Sequence, residues 1–175
     1  MGNLGEKLEF AEIIEKDIQA KERKLEKELE EAQRKYVENK ELIHNLGIKD
    51  QLDSVALAKR STGRKAEVHF SSAPEIVGDE AIISDCEITL VWGENAEYKD
   101  EKGRSSKGVQ DKSISVKVCD TPEGKLFKIR PGSSRGRQTI EVREIMMKEL
   151  DNALIYAYEC PDYAEKVRPL HSRQA

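Results

Sequence analysis

The feature that most constrains the fold is a charged amphipathic stretch from about Glu6 to Leu46. Apolar residues recur in it at intervals of three and four, the spacing of a helix that buries one narrow face against another helix. This seam contains Leu8, Ala11, Ile18, Leu25, Leu29, Ala32, Tyr36, Ile43 and Leu46, with Glu15, Glu22 and Asn39 at its polar positions. A helix of this length rises about 60 Å, so the small domain that follows does not cover it. The stretch therefore predicts a coiled-coil-like helix with a partner.

The seam also indicates which residues make the contact with that partner. We expect its large apolar members to form the oligomerisation surface, namely Ile18, Leu25, Leu29, Tyr36 and Ile43. The partner is a second copy, another protein, or a folded-back segment of the same chain. One polar seam residue, Asn39, does not decide between these, so helix orientation and oligomer number stay open.

After Gly47, a predicted helix end, the chain changes character. A shorter helix is expected from about Lys49 to Lys59, and the hydrophobic period then becomes two, which is typical of half-buried strands. Strands are predicted at 66–70, 82–92, 114–118 and 126–129, a turn or bulge at 93–95, a polar loop over 99–112 and a final helix from Thr139 to Tyr158. The fold class is α+β: a long N-terminal helix, then an antiparallel sheet of about four strands packed by a C-terminal helix. The expected domains are 1–58, a helical arm or hairpin, and 59–160, the α+β domain, with a tail at 161–175.

Charge is strongly segregated along this chain of 175 residues, although its net charge is only −4. Residues 59–65 carry four basic side chains and no acidic one, whereas residues 66–98 carry eight acidic side chains and no Lys or Arg. Residues 99–137 are basic again, with eleven basic and five acidic side chains. Local charge therefore says more about binding than the total does.

In an antiparallel meander, the basic segments would meet at one edge of the sheet, beside the N-terminus of the final helix. Helix N-termini and nearby glycines favour anions. The predicted anion-binding residues are Arg60, Arg64, Lys65, Arg104, Lys107, Arg130, Ser133, Ser134, Arg135 and Arg137. Because the basic residues are spread out, nucleic acid is a more suitable ligand than a small phosphate, which needs one compact nest.

Few residues indicate reaction chemistry. Cys86, Cys119 and Cys160 are far apart and form no CxxC pair, so neither a disulfide framework nor a zinc site is predicted. The three histidines have no metal-ligand spacing, and we predict no catalytic residue, metal or cofactor. Free cysteines and the lack of a long apolar run favour a cytoplasmic protein without membrane contact.

Three functional hypotheses follow from these patterns. The first is a non-enzymatic interaction protein that assembles with itself or another protein through the N-terminal helix and presents an α+β binding domain. The second is the same plan with nucleic acid bound at the basic edge. The alternative is a small enzyme acting on a phosphate-containing substrate or nucleic acid, with Arg130, Arg135 and Arg137 as anion clamps and Asp120 or Glu123 as acid, base or metal ligand.

Overall fold

The structure is a computed structural model that describes residues 3–131, 139–159 and 168–169. It divides into two compact units. Unit 1 comprises the chain up to Glu38 together with Ser72–Ser84, and unit 2 comprises Asn39–Ser71 and the chain from Asp85 onward. The helices are α1 (Leu4–Asn45), α2 (Ile48–Ser61) and α3 (Leu150–Glu159), and a 3₁₀ helix spans Glu144–Glu149. The strands are β1 (Ala66–Phe70), β2 (Glu75–Val77), β3 (Glu80–Ile82), β4 (Cys86–Lys99), β5 (Ser105–Thr121), β6 (Gly124–Pro131), β7 (Ile140–Arg143) and β8 (Arg168–Pro169).

The long first helix and its end near Gly47 agree with the sequence prediction. α1 is continuous for 42 residues, and Gly47 separates it from α2. The φ angle of Gly47 is +73°, a left-handed conformation that glycine adopts without the steric cost of a Cβ atom. This glycine therefore allows one helix to end and the next to begin within three residues.

Unit 1 pairs the N-terminal part of α1 with a short hairpin. β2 and β3 are antiparallel, with Ile76 opposite Ala81, and the Gln33 side-chain amide donates a hydrogen bond to the carbonyl oxygen of Pro74 at 3.2 Å. The seam residues Leu25, Leu29 and Ala32 are half-buried.

Unit 2 is built on an antiparallel sheet with the order β1-β4-β5-β6-β7, and β8 pairs with β5. Alternate residues of the central strands are buried on one face, where α2 and α3 also bury their apolar side chains. The core of this sheet includes Ile88, Leu90, Trp92, Ile114, Val116, Val118, Phe127 and Ile129. The predicted α+β class, with a long helix, an antiparallel sheet and a C-terminal helix packed on it, is therefore confirmed.

The polar segment 93–112 was expected to be a turn or bulge followed by a loop, and that expectation is wrong. β4 continues through Gly93 to Lys99 and pairs with β5 from Ser105 onward, so the two strands form a long ribbon. A Cβ atom at Gly93 would lie 3.0 Å from a methyl group of Val109, so glycine permits close approach here rather than marking a turn. Cross-strand hydrogen bonds therefore extend the two strands beyond residue 92, where the alternation of apolar and polar residues ends.

The predicted start of the final helix at Thr139 is also wrong. Residues 140–143 form β7, with Val142 opposite Phe127, and a 3₁₀ segment precedes α3, which begins at Leu150. A short strand-like alternation of apolar and polar residues is followed here directly by a helical pattern. The sequence prediction therefore assigned both segments to one helix. Within α3, Leu150, Ala153, Leu154 and Ala157 are buried.

Candidate functional site

The second face of the sheet in unit 2 is polar. Successive rows run across β4, β5 and β6: Thr89, Ser115 and Arg130 form one row, and Glu87, Lys117 and Lys128 form the next. β7 extends the second row, because Glu141 lies opposite Lys128. These side chains are half-buried or exposed, and we refer to this surface as the polar face.

Three cations are grouped at the centre of the polar face. Lys117 and Lys128 are directly opposite each other on neighbouring strands, and Arg130 lies two residues from Lys128 on the same side of β6. Like charges in directly opposite positions destabilise a sheet unless something neutralises them. Lys117 has one counter-ion, since its amine lies 3.7 Å from a carboxylate oxygen of Glu87.

These cations surround a small cavity of about 120 Å³. Its lining consists of Asp85, Glu87, Ser115, Lys117, Cys119, Lys128, Arg130 and Thr139. Three cations, two carboxylates and two hydroxyl groups thus converge on one depression. We refer to Lys117, Lys128 and Arg130 as the cation cluster.

The thiol in this cavity does not favour covalent chemistry. Burial and the neighbouring Asp85 carboxylate raise the pKa of Cys119, so the unreactive thiol form is favoured. The Cys119 sulfur lies 3.8 Å from a carboxylate oxygen of Asp85, to which it donates a weak hydrogen bond. Burial also raises the pKa of Cys86 to about 11. Neither thiol therefore has the lowered pKa of a cysteine nucleophile.

A different charged cluster, centred on Glu94, lies where β4 meets α2. One carboxylate oxygen accepts hydrogen bonds from Lys59 and from the Trp92 indole, each at 3.0 Å, and the other lies 2.8 Å from the amine of Lys112. Burial alone would raise the pKa of Glu94, but the hydrogen bonds outweigh burial and lower the pKa to about 2. The Lys59 amine also lies 5.7 Å and 5.3 Å from the ring centres of Trp92 and Tyr158. This cluster joins α2, α3 and the sheet, which is a structural role.

Asn39 belongs to a third polar cluster. It is 3% exposed; its side-chain nitrogen donates to Asp120 at 3.1 Å and its side-chain oxygen accepts from Lys125 at 2.7 Å. Asp120 and Lys125 are also cross-strand neighbours. Asp120, which the sequence offered as a possible acid, base or metal ligand, is therefore a partner of Asn39.

Among the described residues, two of the predicted anion-binding residues, Arg104 and Arg130, lie at different levels along the strands. Arg130 is level with Thr89, whereas Arg104 immediately precedes the pairing of Ser105 with Lys99. Ten residues of strand separate those levels, which is about 33 Å. The pairing continues along the ribbon, and the helix N-terminus that was expected beside Arg130 is absent at Thr139.

The remaining predicted residues have other neighbours. Arg60 donates to the Ala56 carbonyl at 3.4 Å, and the guanidinium of Arg64 lies 3.9 Å from Glu94. The carbonyl of Lys65 accepts from the Gly93 amide, and Lys107 lies opposite Glu97. Arg104 pairs with Asp100 at 3.5 Å. Ser133, Ser134, Arg135 and Arg137 lie outside the described residues.

Sequence reasoning found Arg130 but missed Lys128. The turn at Pro122-Glu123 could have predicted the position of Lys128, because a two-residue connection between strands places Thr121 opposite Gly124. Counting back from that pair puts Lys117 opposite Lys128.

The predicted oligomerisation residues differ in their availability. Tyr36 and Ile43 are buried within the single chain, which removes them from any intermolecular surface. Leu25 and Leu29 are half-buried, and Ile18 is 51% exposed. Further towards the start of α1, the exposed apolar residues include Leu4, Leu8, Phe10, Ile13 and Ile14.

Unit 1 contains a cavity of about 620 Å³ on the seam of α1. It is lined by Ile18, Lys21, Glu22, Leu25 and Glu26 of the helix and by Ile76, Gly78 and Asp79 of the hairpin. When Leu8 is assigned to heptad position a, Ile18 and Leu25 occupy d positions and Glu22 an a position. Lys21 and Glu26 occupy the flanking g and e positions. These are the positions that face a partner in a coiled coil. We refer to this cavity as the seam groove.

Two searches of the described part of the chain add to this description. No group of three or more His, Cys, Asp or Glu residues there is arranged to hold a metal ion. None of the helices in that part combines the length and apolar composition needed to cross a bilayer. Comparison of the chain with protein-family models, with curated proteins and with solved structures yields no match.

Proposed function

We propose that this protein is a non-enzymatic interaction protein that self-associates through the N-terminal half of α1 and presents unit 2 as a binding module. The observation that carries this proposal is the seam groove, because the side chains that line it occupy the partner-facing positions of the heptad. Ile18 and Leu25 supply its apolar surface on the helix, and Ile76 supplies it on the hairpin.

The extent of exposed apolar surface supports the same conclusion. Leu8 is 58% exposed, and Ile76, Val77 and Ile82 of the hairpin are also exposed. An apolar groove lined by both a helix and its hairpin is typical of a protein-binding site. A helix in an apolar groove is a common mode of association.

The charges on the seam favour a second copy in the antiparallel orientation. Glu15 and Glu22 both occupy a positions when Leu8 does, so a parallel pair in register would bring each carboxylate against its own copy. In an antiparallel pair, Leu8 faces Leu25 of the second copy inside the seam groove, and Glu15 faces Ile18. Lys7 then lies beside Glu28 of the second copy. Because the pair is symmetric, this contact between opposite charges occurs at each end of the paired segment.

A matched pair of substitutions tests this proposal. Ile18→Glu places a charge on the seam, whereas Ile13→Glu places the same charge on the outer side of the helix, from a residue of similar exposure (57% against 51%). We expect Ile18→Glu to raise the self-dissociation constant about tenfold or more, equivalent to at least ~1.4 kcal/mol, and Ile13→Glu to change it less than about twofold. Sedimentation velocity over a range of concentrations measures both constants, and an equal effect of the two substitutions would contradict association through the seam.

A further inference from the structure

Ion pairs among the described residues neutralise the cation cluster on the polar face only in part, although Glu141 lies opposite Lys128 on the neighbouring strand. Lys117 and Lys128 face each other directly across β5 and β6, a pairing that opposes sheet formation. Glu87 neutralises Lys117. Within the described ranges, neither Lys128 nor Arg130 forms an ion pair. Positive charge is therefore concentrated at a point on the sheet where an anion would relieve it.

We propose that the polar face binds a single phosphate group through Lys117, Lys128 and Arg130. Arg130 offers the planar fork that binds oxyanions through two parallel hydrogen bonds, and the lysines add point charges. The hydroxyl groups of Ser115 and Thr139 line the same cavity and supply neutral donors.

The cavity suits a small ion. One buried water needs about 10–15 Å³, so the available volume of about 120 Å³ accommodates an ion with five non-hydrogen atoms. Glu87 is paired with Lys117, and Asp85 accepts the Cys119 thiol, so both carboxylates in the lining already have donors. The ligand is held by Lys128 and Arg130, which form no ion pair with the described residues, and by the shared charge of Lys117.

The surroundings favour a small phosphorylated molecule over a nucleic acid. Glu67 lies on the β1 side of the cluster, and Glu141 lies on the β7 side. These carboxylates would repel the phosphates that precede and follow the bound one in a polynucleotide. The ligand class is therefore inorganic phosphate or a small phosphomonoester, and this site is independent of self-association through α1.

Amide chemical shifts measured during a titration test the site. Sodium phosphate is added to the ¹⁵N-labelled full chain at constant ionic strength with sodium chloride as the balancing salt. A mononucleotide is then compared with a single-stranded oligonucleotide. We expect saturable shifts at Ser115, Lys117, Lys128 and Arg130 with phosphate and with the mononucleotide.

Lys128→Gln and Arg130→Gln should each weaken phosphate binding about tenfold. Lys99→Gln, which removes the same charge from an exposed position at the end of β4, should change it less than twofold. The same results are expected in an Ile18→Glu background, which separates this site from the association of α1. Absence of saturable shifts in the unaltered protein, equal effects of all three substitutions, or markedly tighter binding of the oligonucleotide than of phosphate would overturn the proposal.

Discussion

At the scale of single residues, Glu94 is the shared counter-ion of Lys59, Arg64 and Lys112. Its carboxylate contacts Lys59, Lys112 and the Trp92 indole, and its side chain is 26% exposed. Removing the carboxylate from such a cluster takes a counter-ion away from cations in a partly desolvated place. Glu94 should therefore be important for the stability of unit 2 and sensitive to pH.

Replacing Glu94 with glutamine should lower the free energy of unfolding at pH 7 by about 2 kcal/mol. The pKa of this group falls from 4.5 to about 2 on folding, so its ionised form stabilises the folded state above about pH 4.5. That contribution is lost as the pH falls towards 2. Urea denaturation at pH 7 and at pH 3 measures the effect, and the difference between Glu94→Gln and the unaltered protein should be smaller at pH 3. Glu97→Gln, an exposed change on the same strand, is the control, and a difference that stays constant with pH would contradict this account.

Asn39 illustrates what a residue pattern does and does not predict. Its position in the heptad correctly indicated a residue on the inner side of α1, because it is buried. The pattern could not identify its partners, since Asp120 and Lys125 are more than 80 residues away in sequence. Spacing predicts which side of a helix is covered, whereas the covering element depends on tertiary packing.

At the scale of secondary structure, α1 combines two environments in one helix. Its later seam residues, Tyr36, Asn39 and Ile43, are buried within the chain, whereas Leu8 and Ile18 are exposed. The heptad pattern is continuous across both parts, so the sequence alone did not reveal where internal packing ends. The exposed part is the one that we propose to associate.

Charge exchange on α1 distinguishes the two possible orientations. Lys7→Glu should raise the self-dissociation constant about threefold or more, because each exposed ion pair contributes up to about 1 kcal/mol and occurs twice by symmetry. In the antiparallel pair, a second change, Glu28→Lys, should restore the original constant. In a parallel pair the restoring change is Glu12→Lys, since position g then meets position e of the next heptad. Sedimentation of both double variants measures this, and recovery with Glu12→Lys alone would refute the antiparallel arrangement.

The strands show why parts of the fold were missed. The apolar alternation in 66–70 and 114–118 predicted strands that the structure contains within β1 and β5. The ribbon beyond Gly93 is polar on both faces, so its hydrogen-bonded pairing leaves little trace in hydrophobicity. β7 is only four residues long and is followed directly by helical structure. So short an alternation of apolar and polar residues cannot be distinguished from the start of the helical pattern.

At the scale of the whole molecule, the α+β class and the antiparallel sheet followed from composition and periodicity. The cation cluster could not be predicted in this way, because it depends on strand register. It is the register of β5 and β6 that places Lys117 opposite Lys128. The predicted edge assembled basic residues by strand order alone, without the stagger that separates Arg104 from Arg130. Strand order and register must therefore both be known before charges can be placed in a common site.

The central claim is self-association, and the most direct test is the mass of the unaltered full chain measured by sedimentation equilibrium over a wide range of concentrations. We expect the weight-average mass to rise with concentration from that of a single chain to twice that value and then to stop, as a closed antiparallel pair requires. A mass that stays at that of one chain up to submillimolar concentration would contradict the proposal and assign the seam groove to a different protein.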